Sequence, residues 1–438
     1  MAMALDFLPF PNMNTENTES SLHLSHNYNH YHNHNHKPVV LLDLYGDVLE
    51  AVVTRVPTVD LIPASRVSRE WRRAVRSSLL RHPRRSPWLL LRCLRRPSSP
   101  GLHSLHAFDP FSRSWLSLPQ PQYSTSPHKK PVDHDITAFL SASTGDRLHT
   151  LSASTMAVSQ DPFGTEWRKD SKAPKIWRKD AVVAEVGRWL VVAGGGCPMV
   201  LEEGEVVGAV EVYDKQAGAW ESAEPIPVQF DGSAYATWLS AAASDERLYV
   251  MEKKTGLVGC FDPQSKTWGP TCQLRLDPAV SAWAIAVGRD ERLLAVGMGP
   301  VGQSGSGTKV RFWELDRETL QPVAGTKTRM EEEMPTEMVQ RLFPLEEGDV
   351  DAWWCCSVEV CGTDRGGYVY NPSEMRNGAV LYEFTETEEE GRMQLPMVGR
   401  WEWVPLPERV GDSGMGRMEF GCSAVGLDDL ASFWRHSS

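Results

Sequence analysis

The residues of this chain that could do chemistry are few, and each set stops short of a complete site. Residues 297–302 read GMGPVG, the spacing that lets a backbone approach a pyrophosphate, and Asp316 follows as a candidate ribose-binding acid. A dinucleotide site also needs a helix directly after the glycines, so that its amide dipoles meet the phosphates. Here Pro300, Gly305, Ser306 and Gly307 lead into residues 309–315, which read as a strand. Gly194, Gly195 and Gly196 lack the Lys and Ser/Thr of a phosphate loop and read as a tight turn. The eight cysteines, at 93, 197, 260, 272, 355, 356, 361 and 422, contain no C-x-x-C pair, which argues against both a zinc site and a disulfide framework. Cys355, Cys356 and Cys361 cluster, but they read as small buried thiols in strands. His26, His30, His32, His34 and His36 alternate in a polar run without a second ligand cluster, and after His149 the only histidine is His436. No metal, cofactor or catalytic residue is expected, and the chain reads as a non-enzyme.

The elements that would position such residues are repeats. Residues 210–220, VEVYDKQAGAW, read as an alternating strand that turns at Asp214 and re-enters the core at Trp220. Residues 106–115, HAFDPFSRSW, and 259–268, GCFDPQSKTW, are close copies. Residues 160–167, QDPFGTEW, have Gln160 in place of the aromatic, and 315–322, LDRETLQP, keep only the Asp. The aspartates at 109, 161, 214, 262 and 316 stand 52, 53, 48 and 54 residues apart. A period near 50 predicts a kelch-type β-propeller, because a single four-stranded blade cannot bury both its faces and must stack on neighbours around an axis. A strand at 88–91 and residues 103–115 should begin the first blade. A sixth unit spans 380–384, the acidic run 386–390, and Trp401 or Trp403. A last strand at 418–425 should complete the first blade and leave no open edge. The expectation is a mainly β fold, a six-bladed propeller over 101–438, preceded by a small all-α unit.

The net charge of -12 is unevenly spread: residues 55–96 hold twelve Arg against Asp60 and Glu70, about +10. Those arginines fall on exposed helix faces and a connector, without the interleaved aromatics that stack bases, so nucleic acid is not expected as a partner. The longest apolar run, 88–91, is far short of a membrane span of roughly 20 residues. Asp6 and two prolines near the start oppose a secretory signal. The expected setting is a reducing one, the cytoplasm and/or the nucleus. Residues 1–40, with an Asn-, Ser- and His-rich stretch at 11–37, should form a disordered tail. The acidic runs 331–333, 346–351 and 386–390 read as loops between strands, available to a basic partner patch.

Residues 41–80 change character. Val48, Leu49, Val52, Val53 and Val56 are spaced to cover one face of a short helix, Asp47 and Glu50 suggest a capping box, and Pro57 should stop it. Val59, Leu61 and Ile62 follow, and Ser68 can cap a third helix carrying Trp71, Ala74 and Val75. The segment 44–75, LYGDVLEAVVTRVPTVDLIPASRVSREWRRAV, resembles the F-box, through Leu44, Asp47, Val48, Leu49, Val56, Pro57, Asp60, Leu61, Val67, Ser68 and Trp71. Tyr45 replaces that family's first proline, and Pro63 should break the second helix by removing an amide donor. Residues 81–100 read as a connector.

An F-box ahead of a kelch-like propeller resembles the plant kelch F-box proteins, substrate receptors of cullin-based ubiquitin ligases. The resemblance implies a Skp-family adaptor, through it a cullin, and a protein substrate on the propeller. It also implies that the substrate is an enzyme of phenylpropanoid or flavonoid biosynthesis, such as phenylalanine ammonia-lyase or chalcone synthase. Leu44, Val48, Leu49, Val52, Val56, Pro57, Leu61, Ile62, Val67 and Trp71 either face the adaptor or hold the F-box helices together, and sequence does not separate the two roles. A scaffold that binds partners without promoting degradation is the alternative. Replacing Leu49 and Leu61 by Asp should abolish adaptor capture while the fold survives.

Overall fold

The computed structural model describes residues 46–431 apart from 83, 85–86, 96–101, 119–137, 142–147, 152–155, 160, 165–166, 171–172, 177, 179, 196–207, 231, 289–290, 301–307, 324–330, 345–356, 364, 385–397, 409, 411–414 and 427. Each repeat aspartate marks the same local event, the hairpin between the last two strands of a sheet. The Asp214 carboxylate accepts from Gln216 N at 2.8 Å and Ala217 N at 3.2 Å. Asp262 accepts from Gln264 N at 2.8 Å, Asp316 from Thr319 N at 2.7 Å and Asp109 from Phe111 N at 3.0 Å. A short carboxylate thus satisfies turn amides that no strand can reach. The residue four positions on is left-handed: Arg113 at φ 55, Gly218 at 63, Lys266 at 62 and Leu320 at 56. The amides of Gly218, Lys266 and Leu320 each close the turn on the carbonyl of their aspartate at 2.8 Å.

This turn places the aromatic before the Asp opposite the tryptophan: Phe108 faces Trp115, Tyr213 faces Trp220 and Phe261 faces Trp268. Their ring centroids lie 5.4, 5.2 and 5.1 Å apart, within the range of favourable aromatic pairing. The copy at Asp161 turns one residue earlier. Gly164, at φ 65, donates to Asp161 O at 3.2 Å, and Trp167 falls opposite Ser159, two positions before the Asp. At the copy that lacks the aromatic, the tryptophan therefore pairs one position earlier in the preceding strand than at the other copies.

Ahead of the sheets stand three helices, α1 (Gly46–Val53), α2 (Leu61–Val67) and α3 (Arg69–Arg81), with a single 3-10 turn at Thr58–Asp60. Pro63 does not break α2. It is the third residue of the helix, where an amide has no intrahelical acceptor to lose. Ser68 caps α3 as expected, its hydroxyl accepting from Trp71 N at 3.3 Å. Glu50 makes no capping box. Its carboxylate instead accepts from Ser77 Oγ at 2.9 Å and pairs with Arg81 at 3.1 Å, tying α1 to α3.

Among the described residues six antiparallel sheets follow. The chain enters them through β1 (Pro87–Arg95), β2 (Leu102–Asp109) and β3 (Ser114–Leu118). The first strand thus lies inside the expected connector. The second sheet holds β4 (Ala138–Ser141), β5 (Leu148–Leu151), β6 (Met156–Ser159) and β7 (Trp167–Asp170). The third holds β8 (Val182–Val186), β9 (Trp189–Ala193), β10 (Val210–Asp214) and β11 (Ala219–Ala223). The fourth holds β12 (Leu239–Ala243), β13 (Leu248–Glu252), β14 (Leu257–Asp262), β15 (Thr267–Trp268) and a short extra β16 (Cys272–Gln273). The fifth holds β17 (Ala282–Val287), β18 (Leu293–Pro300), β19 (Thr308–Leu315) and β20 (Glu331–Glu333), and the sixth β21 (Glu359–Thr363), β22 (Gly366–Tyr370), β23 (Ala379–Phe384) and β24 (Val398–Val404).

The final strand, β25 (Met415–Ala424), pairs with β1 from Pro87↔Ala424 to Arg95↔Met415, so late chain completes the first sheet. The decayed copy at 315–322 supplies no outer strand, and the acidic run after it, expected as a loop, does. Pro322 forms only an isolated bridge with Leu315, because proline has no amide to extend a ladder. The outer strand of the fifth sheet is β20, so the acidic run 331–333 is not a loop. Glu333 pairs there with Lys309 at 2.8 Å.

Packing between neighbouring sheets buries the apolar surface. One cluster joins the second and third sheets, others the third and fourth, fourth and fifth, fifth and sixth, and sixth and first. The remaining cluster sets Trp88, Leu90 and Leu105 of the first sheet against Phe163, which follows β6 of the second. The strands β8, β12, β17, β21 and β25 touch in that order, forming the inner layer of a β-propeller. Because β25 ends beside Pro87, where the helices join, its inner strand runs toward the helical side. The other inner strands hold the equivalent place in their sheets. Their starts therefore open on the face away from the helices. No helix among the described residues is long and apolar enough to cross a membrane.

Candidate functional site

The helices sort the expected adaptor-facing residues by where each side chain lies. Leu49 and Leu61 are 1% and 0% exposed and form the interior of the helical unit. Val48, Val52 and Val67 are 60%, 37% and 64% exposed. Val48 and Val52 stand four apart on α1 and so share one outward face. Val56, Pro57 and Trp71 are half-buried, and Leu44 lies outside the described residues. Ile62 belongs elsewhere: with Val59 it packs into the cluster of Trp88, Leu90, Leu105 and Phe163. It anchors the helices to the propeller and does not face outward. Leu80, 79% exposed on α3, is an outward apolar residue that the sequence pattern did not single out.

The joint between helices and propeller centres on Arg84. Its guanidinium donates to Val53 O at 2.7 Å and Thr54 O at 2.6 Å, and also to Val56 O, collecting three carbonyls at and just past the end of α1. The same group lies 4.1 Å from the centroid of the Phe111 ring in the first β-hairpin. Burial lowers the guanidinium pKa and Asp109 opposes that shift. Burial raises the Asp109 carboxyl, with the amides of Phe111, Ser112 and Thr58 and the Ser112 hydroxyl pulling it back down. Thr54, Thr58, His82, Arg84, Trp88, Asp109 and Phe111 line a cavity of about 370 Å³ at this joint. The first repeat aspartate therefore serves both its own hairpin and the 3-10 turn of the helical unit. No sequence signal distinguishes it from its copies.

The other candidate constellations resolve as structure. GMGPVG runs from β18 toward the strand β19, with no helix at either. A Cβ on Gly297 would meet the Trp313 ring at 2.7 Å, and one on Gly299 would meet Ala279 O at 2.2 Å. These glycines allow close packing inside the fifth sheet. Gly194 and Gly195 take φ 66 and 81 just after β9, where Gly194 N donates to Ala209 O at 3.0 Å and Gly195 N to Ala234 O at 2.7 Å; the expected tight turn at 194–196 runs on into residues outside the described ones. Cys93, Cys260, Cys361 and Cys422 are buried free thiols, and burial pushes Cys260 up to about 11. Among the described residues no group of His, Cys, Asp or Glu is arranged to hold a metal ion. The histidine-rich run, Cys197, Cys355, Cys356 and the acidic runs 346–351 and 386–390 lie outside the described residues.

Comparison with known proteins agrees with this division. The F-box domain family matches residues 41–83, the three helices and the approach to them. The solved structure of YjhT matches 64% of this chain and 89% of its own, at 11% identity and a TM-score of 0.32, which carries no argument. An F-box/kelch-repeat protein of Arabidopsis thaliana is 30% identical over 399 residues, spanning 90% of this chain and 92% of the relative. That identity runs through helices and propeller alike, and on it the chain belongs to the plant F-box/kelch-repeat proteins.

Proposed function

We propose that this chain is the substrate-recognition subunit of a Skp-cullin-F-box ubiquitin ligase, and that its six sheets are the six blades of one closed ring. The observation that carries the reading is the outward set Val48, Val52, Val67 and Leu80 on helices whose Leu49, Val53, Leu61 and Ile62 are buried. An exposed apolar face on so small a unit marks a partner surface. Covering a large apolar side chain is worth about 1.5–3 kcal/mol, enough when several combine to offset association costs. The adaptor would sit on this face and bring a cullin with it. The propeller would hold a protein substrate, and the joint at Arg84 would keep the two ends in fixed relation. The chain's contribution is proximity, raising the concentration of substrate lysines near a conjugating enzyme held elsewhere. The setting we propose is the cytoplasm and/or the nucleus. For the substrate, the family resemblance alone supports an enzyme of phenylpropanoid or flavonoid biosynthesis.

Val48→Asp combined with Val52→Asp tests the adaptor face. Purified full chain carrying both changes should bind a Skp-family adaptor at least about 100-fold more weakly in calorimetry, with its thermal unfolding unchanged. Unchanged affinity would refute the assigned face. Leu49→Asp and Leu61→Asp are unsuitable probes, since each would place a charge in the helical interior and unfold it. Adaptor and cullin binding without ubiquitination or turnover of any captured protein would leave a scaffold.

A further inference from the structure

The large apolar side chains exposed among the described residues are unevenly placed. Val48, Val52, Val67 and Leu80 lie on the helices, and Phe111 lies at the joint beneath Arg84. The other two, Val228 at 83% and Trp238 at 43%, both belong to the connection between β11 and β12, residues 224–238. That connection leads into the start of an inner strand, so it lies on the propeller face away from the helices.

Trp238 is held in place while its ring stays open to solvent. Its carbonyl accepts from Lys253 N at 2.9 Å, and its amide donates to Tyr235 O at 2.9 Å. Next to it, Thr237 donates its hydroxyl to Asp180 at 2.7 Å, and Ala236 N donates to Asp180 O at 2.8 Å. Lys253 reaches Glu359 of the sixth sheet at 2.6 Å, and Glu359 also accepts from Ser240 Oγ at 2.6 Å. Phe230 and Ala234 of the same connection are buried between the third and fourth sheets. The packing requirement of the loop is therefore met without Trp238.

The carboxylates near this point are each held by hydrogen bonds or an ion pair, while one ammonium has no ion-pair partner among the described residues. Asp180 and Glu359 are occupied by the bonds above, and Glu252 accepts from the hydroxyls of Ser233 and Thr255. Lys254 is exposed, and its ammonium sits 5.1 Å from the Trp238 ring centroid. Among the described residues it makes no ion pair. A rigid, open tryptophan beside an unmatched cation has the features of an interface centre, where Trp anchors dominate binding and preorganisation lowers its entropic cost.

We propose that Trp238 and Lys254 form the centre of the surface that captures the protein substrate, and that it takes a segment bearing an apolar side chain beside an acidic one. This rests on the substrate-receptor reading above. The test is selection of a random-peptide phage library on the purified full chain, followed by synthesis of the enriched peptide and measurement of its Kd. Enriched peptides should pair an acidic residue with an aromatic or aliphatic neighbour. Trp238→Ala should weaken the peptide about 30-fold and Lys254→Glu about 10-fold, with thermal unfolding unchanged. Selection on Lys254→Glu should replace the acidic residue by a basic one. Lys254→Gln, a milder change at an exposed position, should fall between and separates loss of charge from loss of fold. Peptides without the acidic residue, peptides that bind both variants as tightly as the parent, or no enrichment over Trp238→Ala would each overturn the proposal. Adaptor affinity measured on the same samples separates the two ideas. If it is normal while peptide binding ignores both variants, only the surface fails. If it is absent while peptide selectivity persists, the ligase reading fails.

Discussion

The helical unit and the propeller dispose of apolar side chains in opposite ways. On three short helices, Val48, Val52, Val67 and Leu80 stay open, while Val59 and Ile62 are covered only by side chains of the propeller. In the propeller, nearly every strand is covered by the next sheet, and cluster follows cluster from one sheet pair to its neighbour. A unit of some forty residues cannot bury enough surface to stand alone, so it leans on a larger body inward and on a partner outward. A propeller closes its own accounts by repetition. The two regions therefore differ in what a mutation reports: contact with another molecule at the helices, and fold at the sheets.

The sharpest way to break the comparison is at the joint. Arg84→Ala leaves the carbonyls of Val53, Thr54 and Val56 without their charged donor, and should destabilise the helical unit by about 2–3 kcal/mol while the propeller keeps its unfolding transition. Hydrogen exchange should show α1–α3 opening first. Arg84→Lys should recover only part of the loss, since an ammonium cannot span three carbonyls as a planar fork does. Equal protection of helices and sheets in Arg84→Ala would mean the joint lies elsewhere.

A second test lies wholly within the propeller. His149, in the second sheet, donates to the Glu185 carboxylate of the third at 2.9 Å, and Lys215 pairs with the same group at 2.9 Å. Burial works against the Glu185 charge, but the histidine and lysine prevail and hold its pKa at about 2. A lowered folded-state pKa stabilises above the ordinary value of 4.5 and loses that stabilisation as pH falls toward 2. Wild type should exceed Glu185→Gln by on the order of 2 kcal/mol at pH 6, and the gap should close between pH 4.5 and 2. Chemical denaturation across that range measures it, and a pH-independent gap would remove the charged tie. The smallest effect is at a turn. Gly218→Ala meets nothing nearer than the Tyr213 hydroxyl at 3.8 Å, so its cost should be that of φ 63 alone, about 1 kcal/mol in denaturant midpoint measurements.

Local chemistry was legible in the sequence and long-range tertiary contact was not. The aspartate turns, the tryptophan positions, the Ser68 cap and the closing strand depend on residues near one another or on a repeat that declares its own period. The position of Ile62 depends on Trp88 and Phe163 folding back over it, and no pattern in 59–62 says whether an apolar residue meets a propeller or an adaptor. Glu50 looked like a cap because its spacing from Asp47 allowed it; Ser77 and Arg81 on α3 offered better partners. Pro63 was judged by its residue type, whereas its place in the first turn decides the outcome. The exposed connection at 224–238 was unreadable for the same reason. Among the described residues Trp238 is the one exposed tryptophan, and no local pattern marks it.

The closure of the first sheet also sets an order of events during synthesis. Val59 and Ile62 leave the ribosome early, yet the cluster they enter includes Val425 and Leu430, made more than 350 residues later. Domains otherwise tend to fold as they emerge, N-terminal first. Here the docking helices cannot reach their final support until β25 has paired with β1. A chain interrupted before that strand would lose the seam of the first sheet and the footing of Val59 and Ile62 together.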